Sequence, residues 1–469
     1  MPTSSPSCFR AAWLFVVILV SSAILPARAR EGTGWRTDGS GNYPKARPPL
    51  EWSATKNVVW KTPMPGYGVS HPVPLGHCVF ICADPCSLLC LHRDDGKILC
   101  QKSSSYAELE IEPDVRERIA VEKAEMAKLD KKQSAVQKEM DLVIRPLEKE
   151  KAAREEIDKQ RKPFRERIEA IKKEKQKLTL AVRYTEPHTH SYAGYSAPTP
   201  VTNGKDVFVA FGNGLVARFD LDGNRKWLKL VEHSNLPFAH SGSPVLAEGK
   251  LLIHFTDLVA LDPKTGSESW RLECPSNHGT PLATRIGTVG VVLTPKGAMV
   301  RVKDGKLLAD RLGQCGSNSP VLHDGIVYFV RGAVDAVRLP EAVEGPVKLK
   351  PLWKGKATGD GYWFSSPVVH EGLMYAASDQ GVLTVLDAKT GEAVYEESLK
   401  LRGSTYPSIS LAGGRVYVSS DSGNTVVLEP GREYKELARN KLEAFRSSLV
   451  FEGKRVYVRT AKHLYCIGE

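Results

Sequence analysis

Five cysteines raise the first question of chemistry. Cys78, Cys82, Cys86 and Cys90 recur every fourth residue, and Cys100 follows closely. Clustered thiolates can hold a metal ion or an iron–sulfur cluster. The spacing, however, is not the C-x-x-C pair of zinc sites, and the stretch reads as strands rather than a helix. Cys78 and Cys82 share a face of one strand, while Cys90 and Cys100 lie opposite one another across the turn Asp94-Asp95-Gly96. Two other readings stand beside the metal site: a Cys90–Cys100 disulfide, or small apolar packing in a core. No metal is expected.

A second set is polar. Most of the twelve histidines lie in or beside connections between strand-like runs, with amides and aromatics among them. The connections carry Tyr67 and His71; His188, His190, Tyr192 and Tyr195; His233, Asn235 and His240; Asn277 and His278; Asn318; Tyr362 and Trp363; Tyr406; and Arg446. No nucleophile–base pair, Ser-His-Asp set or carboxylate pair is recognisable, so no catalytic residue is assigned. If the connections converge on one funnel, His71, His190, Tyr192, His240, Asn277, His278, Asn318, Trp363, Tyr406 and Arg446 would line it. Such a lining suits a polar ligand such as a sugar, a peptide or a quinone. Three histidines meeting on a metal is the alternative.

Convergence requires a repeat. Ser365 to Leu399 reads as four short strands: Ser365–Val369, Leu373–Ala377, Val382–Asp387 and Ala393–Tyr395, separated by turns such as Glu371-Gly372 and Ala388-Lys389-Thr390-Gly391. Such an antiparallel meander cannot bury both its faces alone and needs copies on either side. Copies open at Ser70-His71-Pro72-Val73, Ser196-Ala197-Pro198, Ser243-Pro244-Val245, Thr280-Pro281, Ser319-Pro320-Val321, Tyr406-Pro407-Ser408 and, without the proline, Ser447-Ser448-Leu449-Val450. Apart from Pro72 to Pro198, the intervals are about 37 to 47 residues, the length of a four-stranded propeller blade.

The expected architecture is therefore all-β: an eight-bladed β-propeller with an inserted α-helical coiled-coil hairpin. Val58–Lys61 would supply the fourth strand of the last blade, so pairing of N- and C-terminal strands closes the ring and removes its open edge. Residues 57–105 would hold the closing strand and first blade, 106–180 the insertion, and 181–469 blades two to eight. Within the insertion, Val115, Ile119, Met126, Leu129, Val136, Met140 and Val143, then Ile157, Phe164, Ile168, Ile171 and Leu178, fall at coiled-coil spacings. Pro146 marks the expected reversal and Pro163 an expected kink. The arms would be about 45 Å long. One solvated charged helix is the alternative.

Arg10, the apolar run Ala11 to Leu25 and Pro26-Ala27-Arg28-Ala29 describe a secretory signal over 1–29 cleaved after Ala29, with an uncleaved anchor as the alternative. An extended lead-in covers 30–56. The mature chain is expected in the periplasm or outside the cell, with no membrane span. The formal charge of +11 is spread among acids and no basic tract is interleaved with aromatics, so nucleic acid is not an expected partner.

The succession S-x-P-V, x-G-x-V-Y-V, L-D-x-x-T-G and Trp, carried best by Leu261-Asp262-Pro263-Lys264-Thr265-Gly266 with Trp270 and by Leu386-Asp387-Ala388-Lys389-Thr390-Gly391, resembles the pyrroloquinoline-quinone (PQQ)-like β-propeller repeat. The resemblance covers roughly 50–102 and 190–469. It implies that Trp60, Trp227, Trp270, Trp353 and Tyr395 dock between adjacent blades. One branch of this superfamily comprises alcohol and glucose dehydrogenases that bind PQQ and calcium. The other includes the outer-membrane β-barrel assembly lipoprotein B and exported propellers without a cofactor. This sequence lacks the adjacent Cys-Cys pair of the quinone site. Asp220-Leu221-Asp222-Gly223 is a repeat turn without the other ligands of a calcium loop. The expectation is a non-enzymatic binding or scaffolding module without cofactor, meeting a protein or polar ligand at the funnel and a partner through the hairpin. The alternative is a PQQ- and calcium-dependent oxidoreductase of alcohols or sugars, with the quinone stacked on Trp363.

Overall fold

The computed structural model describes residues 1, 32–189, 194–234, 238–357, 359 and 361–469. The signal segment falls outside them almost entirely, as do His190, Tyr192 and Asn235.

The chain is all-β apart from one helical insertion. Among the described residues the strands form eight sheets, seven of four strands and one of five, antiparallel except for one added strand and in chain order except for two strands contributed by the early residues. The sixth shows the local logic. Leu373–Ala377, Val382–Asp387 and Ala393–Ser398 pair in sequence, so each Gly- or Asp-bearing turn simply reverses the chain. In the repeat turns the aspartate side chain supplies the missing acceptors. Asp262 Oδ1 takes the N–H groups of Lys264 and Thr265 at 2.7 and 3.0 Å, and Asp387 does the same for Lys389 and Thr390. Asp220 likewise caps Asp222 and Asn224.

Two-residue periodicity puts alternate side chains on opposite faces, and both faces are covered. In the first sheet Val79, Ile81, Leu89 and Leu91 pack with Val456, Val458 and Tyr465 of the eighth. Its other face, with Cys78, Phe80, Leu88 and Cys90, packs with Val207, Val209 and Phe211 of the second. The core is thus a series of layers between neighbouring sheets. Each fully buried Phe, Leu or Val stabilises the layer by about 1.5–3 kcal/mol. Edges are handled at the ends of the chain. Val58–Pro63 pairs antiparallel with His463–Ile467, completing the eighth sheet. Asn42–Tyr43 adds parallel to Ser410–Ala412 as the fifth strand of the seventh.

Two long helices separate the first sheet from the second: α1 (Pro113–Lys149) and α2 (Arg154–Gln176), followed by the short α3 (Thr179–Arg183). They run antiparallel, joined by Arg161–Glu148, Arg167–Glu139 and Lys175–Asp130 ion pairs. The apolar face of α1 is built on Ile119, Leu129, Val136 and Ile144. Val143 is exposed, because the stripe reaches Ile144 at a spacing of eight from Val136 rather than seven. Pro146 does not reverse the chain. It sits in the last turn of α1, where its missing N–H removes one hydrogen bond, and the reversal follows at 150–153. α2 runs continuously through Pro163.

Candidate functional site

The inner strands of the eight sheets begin around a common centre, and a circuit of eight hydrogen bonds links them there. His71 N–H donates to Thr199 Oγ1 at 3.1 Å, Thr199 to Ser243 at 3.0 Å, and Ser243 to Thr280 at 3.0 Å. Thr280 donates to Ser319 at 2.7 Å, Ser319 to Ser366 at 3.1 Å, Ser366 to Ser408 at 3.2 Å, and Ser408 to Ser448 at 2.8 Å. Ser448 N–H then donates to His71 Nε2 at 3.2 Å, returning to the start. Seven members use a hydroxyl and one uses an imidazole. Each sits two residues before its inner strand. This places the second repeat's opening at Thr199-Pro200-Val201 rather than Ser196-Ala197-Pro198, and the seventh's at Ser408 rather than Tyr406.

The lead-in crosses this centre. Thr33 bridges to Thr202 of the second sheet, and Asn42–Tyr43 joins the seventh. Between them the Trp35 ring lies 6.1 Å from that of His71. Arg36 is fully buried, donating to the carbonyls of Pro367 at 3.0 Å and Ile409 at 2.6 Å. Burial lowers its pKa to about 10, so it remains charged at neutral pH. Burial, with the Arg36 charge second, lowers His71 to about 3. The imidazole is therefore neutral and can accept the Ser448 bond. Trp35, Val69, His71, His278, Asn318, Phe364, Tyr406 and Arg446 are among the residues around a cavity of about 100 Å³.

Several residues expected to present themselves to a ligand are occupied in holding this centre. His71 closes the circuit. Asn277 donates to Gly316 O at 2.5 Å and accepts from Gly279 N–H at 2.7 Å. Asn318 is buried and donates to Ser365 O at 3.1 Å. His240 is buried and stacks on Phe255, centroids 4.7 Å apart, and burial holds it neutral to about 3. Trp363 is buried in the layer between fifth and sixth sheets, its ring beside Gly332, because the apolar ring gains more there than in a wet funnel. It is not placed to stack a flat cofactor.

Other residues are brought together at the mouth of the cavity. Tyr362, Phe364 and Tyr406 form a stacked ladder, with centroid separations of 5.7 and 4.4 Å. The Arg446 guanidinium lies 5.1 Å above Tyr406 and 3.6 Å from Asp421. Tyr67, Asp421, Phe445 and Arg446 border a neighbouring cavity of about 330 Å³. Phe364, Trp35 and the circuit hydroxyls were missed in the sequence. Five of the seven hydroxyls had a signal, since Thr199, Ser243, Thr280, Ser319 and Ser366 each stand directly before a Pro, but in the sequence that pattern marks only the openings of repeats.

The outer-strand aromatics sit between sheets. Trp60 Nε1 donates to Arg93 O, Trp227 to Pro263 O, Trp270 to Val302 O and Trp353 to Ala388 O, at 2.9 to 3.1 Å. Each ring rests on a glycine of the adjacent sheet's turn: Gly96, Gly266, Gly305 and Gly391. Tyr395 packs in the layer between sixth and seventh sheets, its hydroxyl without a hydrogen-bond partner.

The cysteines lie on the face of the first sheet toward the second. Cys90 and Cys100 are cross-strand partners, and Cys90 Sγ lies 2.7 Å from Cys78 Sγ. The eight described cysteines are thiols, and no group of three His, Cys, Asp or Glu residues fit to hold a metal is found among the described residues. The helical insertion is mounted on the second sheet. Tyr106 donates to Asn213 O at 2.7 Å, Arg183 to Leu230 O at 2.9 Å, and Arg225 pairs with Glu108 at 2.8 Å. Glu122 Oε2 of α1 accepts the N–H groups of Leu180 and Ala181, seating α3 against α1. No described helix is long and apolar enough to cross a membrane.

The model of the family described as outer membrane protein assembly factor BamB, a PQQ-like repeat family, matches residues 165–342 and 349–468. No curated protein sequence matches. Among solved structures, BamB from Moraxella catarrhalis is 13% identical, with a TM-score of 0.45 over 56% of this chain and 82% of its own. The C-terminal WD40 domain of Sif2 is 11% identical, with a TM-score of 0.40 over 57% of this chain and 79% of its own. With its repeats matched by the family model over more than half of its length, the chain belongs to the PQQ-like repeat family of the assembly factor BamB.

Proposed function

We propose that this chain is an exported, non-enzymatic β-propeller that holds protein partners, its eight sheets being the blades of one closed ring and α1–α2 a coiled-coil contact arm. The observation that carries the reading is the mounting of the arm. Its base is fixed to the second sheet through Tyr106, Glu108 and Arg183, and its helices are cross-linked by ion pairs along their length. A partner gripped by the arm is thereby held in a fixed relation to the sheets. Family membership supports the same reading, since the family is named for assembly of outer membrane proteins. The circuit of hydrogen bonds and the pairing of Val58–Pro63 with His463–Ile467 support ring closure.

The test is deletion of residues 107–180 together with a photo-crosslinking side chain placed at Leu142 in the intact protein. The expected result is a deletion variant that keeps its strand circular-dichroism signal, and Leu142 crosslinks to a defined envelope protein. A deletion variant that unfolds, or an arm that crosslinks to nothing, overturns the reading. N-terminal sequencing of the protein recovered from the envelope should begin at Arg30. Titration with PQQ and calcium should give no heat, and micromolar binding would favour the oxidoreductase instead.

A further inference from the structure

Three of the thiols of the first sheet are arranged in a line across adjacent strands. Cys78 lies on Cys78–Ala83, Cys90 on Ser87–His92 and Cys100 on Ile98–Ser103. Cys100 faces Cys90 directly, whereas Cys90 faces Phe80 and so meets Cys78 on the diagonal, sulfurs 2.7 Å apart. Cys90 thus has a thiol neighbour on each side. The line is graded in access: Cys78 and Cys90 are 4% and 2% exposed, whereas Cys100 is half-buried on the outer strand. The second sheet leaves room for the Cys100 sulfur, since a Cβ on Gly223 would stand 2.6 Å from it.

We propose that Cys78, Cys90 and Cys100 form a thiol–disulfide exchange centre in which Cys100 receives oxidising equivalents from an external disulfide and passes them through Cys90 to Cys78. In the first step the Cys100 thiolate attacks a sulfur of the external disulfide. That S–S bond breaks, a mixed disulfide forms on Cys100, and one external thiolate leaves and takes up a proton. Cys90 then gives up its proton and attacks Cys100 Sγ, releasing the second external thiolate and forming Cys90–Cys100. Cys78 attacks Cys90 Sγ, Cys78–Cys90 forms and Cys100 is restored as a thiol. In sum, two thiols lose two electrons and two protons, and one external disulfide becomes two thiols.

The acidity of Cys100 agrees with its acting first, while the bonds to its two thiol neighbours and burial push Cys90 up, so Cys90 attacks only once Cys100 carries the mixed disulfide. The hydrogen bond from Cys90, ahead of the opposing effect of burial, lowers the Cys100 pKa to about 7, so much of it is thiolate at neutral pH. Burial raises Cys78, which favours its resting as half of a disulfide rather than as a thiolate. Cys82 and Cys86 lie in the same layer as internal controls; Cys86 accepts a bond from Asn213 at 3.2 Å.

The experiment uses the full mature chain, reduced, freed of reductant and exposed to oxidised glutathione, then denatured in the presence of alkylating agent so that buried thiols also react, and peptide-mapped. The expected product links Cys78 to Cys90, with Cys82, Cys86 and Cys100 alkylated. Cys100→Ser should form that link roughly tenfold or more slowly, because the exposed thiolate sets the exchange rate. Cys90→Ala should stall with glutathione on Cys100. The wild-type mapping does not depend on either variant folding. Recovery of Cys78 and Cys90 as alkylated thiols overturns the proposal, as does a final Cys90–Cys100 bond, or formation of Cys78–Cys90 at an unchanged rate in Cys100→Ser.

Discussion

Ser448 N–H donates to His71 Nε2 across 3.2 Å although the two residues are 377 positions apart in the chain. The other seven bonds of the circuit end on a Ser or Thr oxygen, so His71 is the one link whose strength depends on protonation. Replacing it with leucine leaves the buried Ser448 N–H without an acceptor, at a cost of about 1–3 kcal/mol. His71→Ser should retain most of the stability, because a hydroxyl serves at the other seven positions. Urea midpoints of the two variants decide between this account and one in which His71 merely fills space.

Stability should fall as pH drops below neutrality. Burial lowers His71 and His240 to about 3 and His254 to about 4, whereas the unfolded side chains titrate at 6.5. Between 6.5 and about 4 the unfolded state therefore binds more protons than the folded one, and unfolding becomes easier as pH decreases. His240→Phe, which can keep the stack on Phe255, should flatten the dependence between pH 7 and pH 5 in denaturant titrations. An unchanged slope would mean that His240 is protonated in the fold.

A second acid-sensitive point has the opposite chemistry. Burial opposes ionisation of Glu443, but hydrogen bonds from Lys61, His463, Tyr465 and Thr460 dominate and hold it at about 2, against an ordinary value of 4.5. Its lowered pKa contributes stability that is complete above 4.5 and lost as pH falls toward 2. Because Lys61 lies on Val58–Pro63 and His463 and Tyr465 on His463–Ile467, the loss falls on the pairing of the two ends of the chain. Glu443→Gln should lower the melting temperature at pH 6 and narrow the difference from the parent at pH 2.5.

The tryptophan seats can be tested at Gly266, whose φ is +72° and whose added Cβ would stand 2.9 Å from the Trp227 ring. Gly266→Ala meets both the left-handed backbone cost of about 1–2 kcal/mol and the displacement of the ring. Trp227→Phe loses the hydrogen bond to Pro263, about 1 kcal/mol, together with the packing of the second ring of the indole, but meets no backbone cost. Equal midpoints for the two variants would show that the ring moves aside freely.

In the insertion, Ile144→Asp should open the contact between α1 and α2, while Val143→Asp should change stability by less than about 0.5 kcal/mol. Limited proteolysis in α2 reports the difference, and indistinguishable digestion of the two variants would contradict the assigned face.

The sheets were legible in the sequence because each repeat states its own turns: the Asp262 and Asp387 side chains cap their turns through contacts a few residues away. Trp227 and Trp270 were legible for a related reason, since each stands four residues after the glycine of such a turn, Gly223 or Gly266, whereas Trp60 and Trp353 follow no such turn. The centre was not. His71, Asn277 and Asn318 carry the residue types of a ligand site, and only the packing of eight separate segments shows them bonded to neighbouring loops through His71 Nε2, the Asn277 amide and Asn318 Nδ2, with His71 Nδ1 and Asn318 Oδ1 left without a partner. Trp363 and Phe364 are adjacent aromatics in one connection. Which of them turns into the layer and which toward the cavity depends on Gly316 and Gly332, the glycines against the Trp363 ring and backbone. Pro146 was misread because a proline near a helix end costs little, so it does not fix where the helix stops.

The pairing of Val58 with Ile467 also sets an order in time. Synthesis delivers Val58–Pro63 long before its partner strand His463–Ile467, so while the seven sheets between them are made the early strand has an open edge. Such an edge can pair wrongly with other chains. Emergence of His463–Ile467 therefore acts as a completion signal for the eighth sheet. A chain released before His463–Ile467 retains seven sheets but leaves Val58–Pro63 without its partner, and the quality-control machinery of the compartment meets it as an unfinished product.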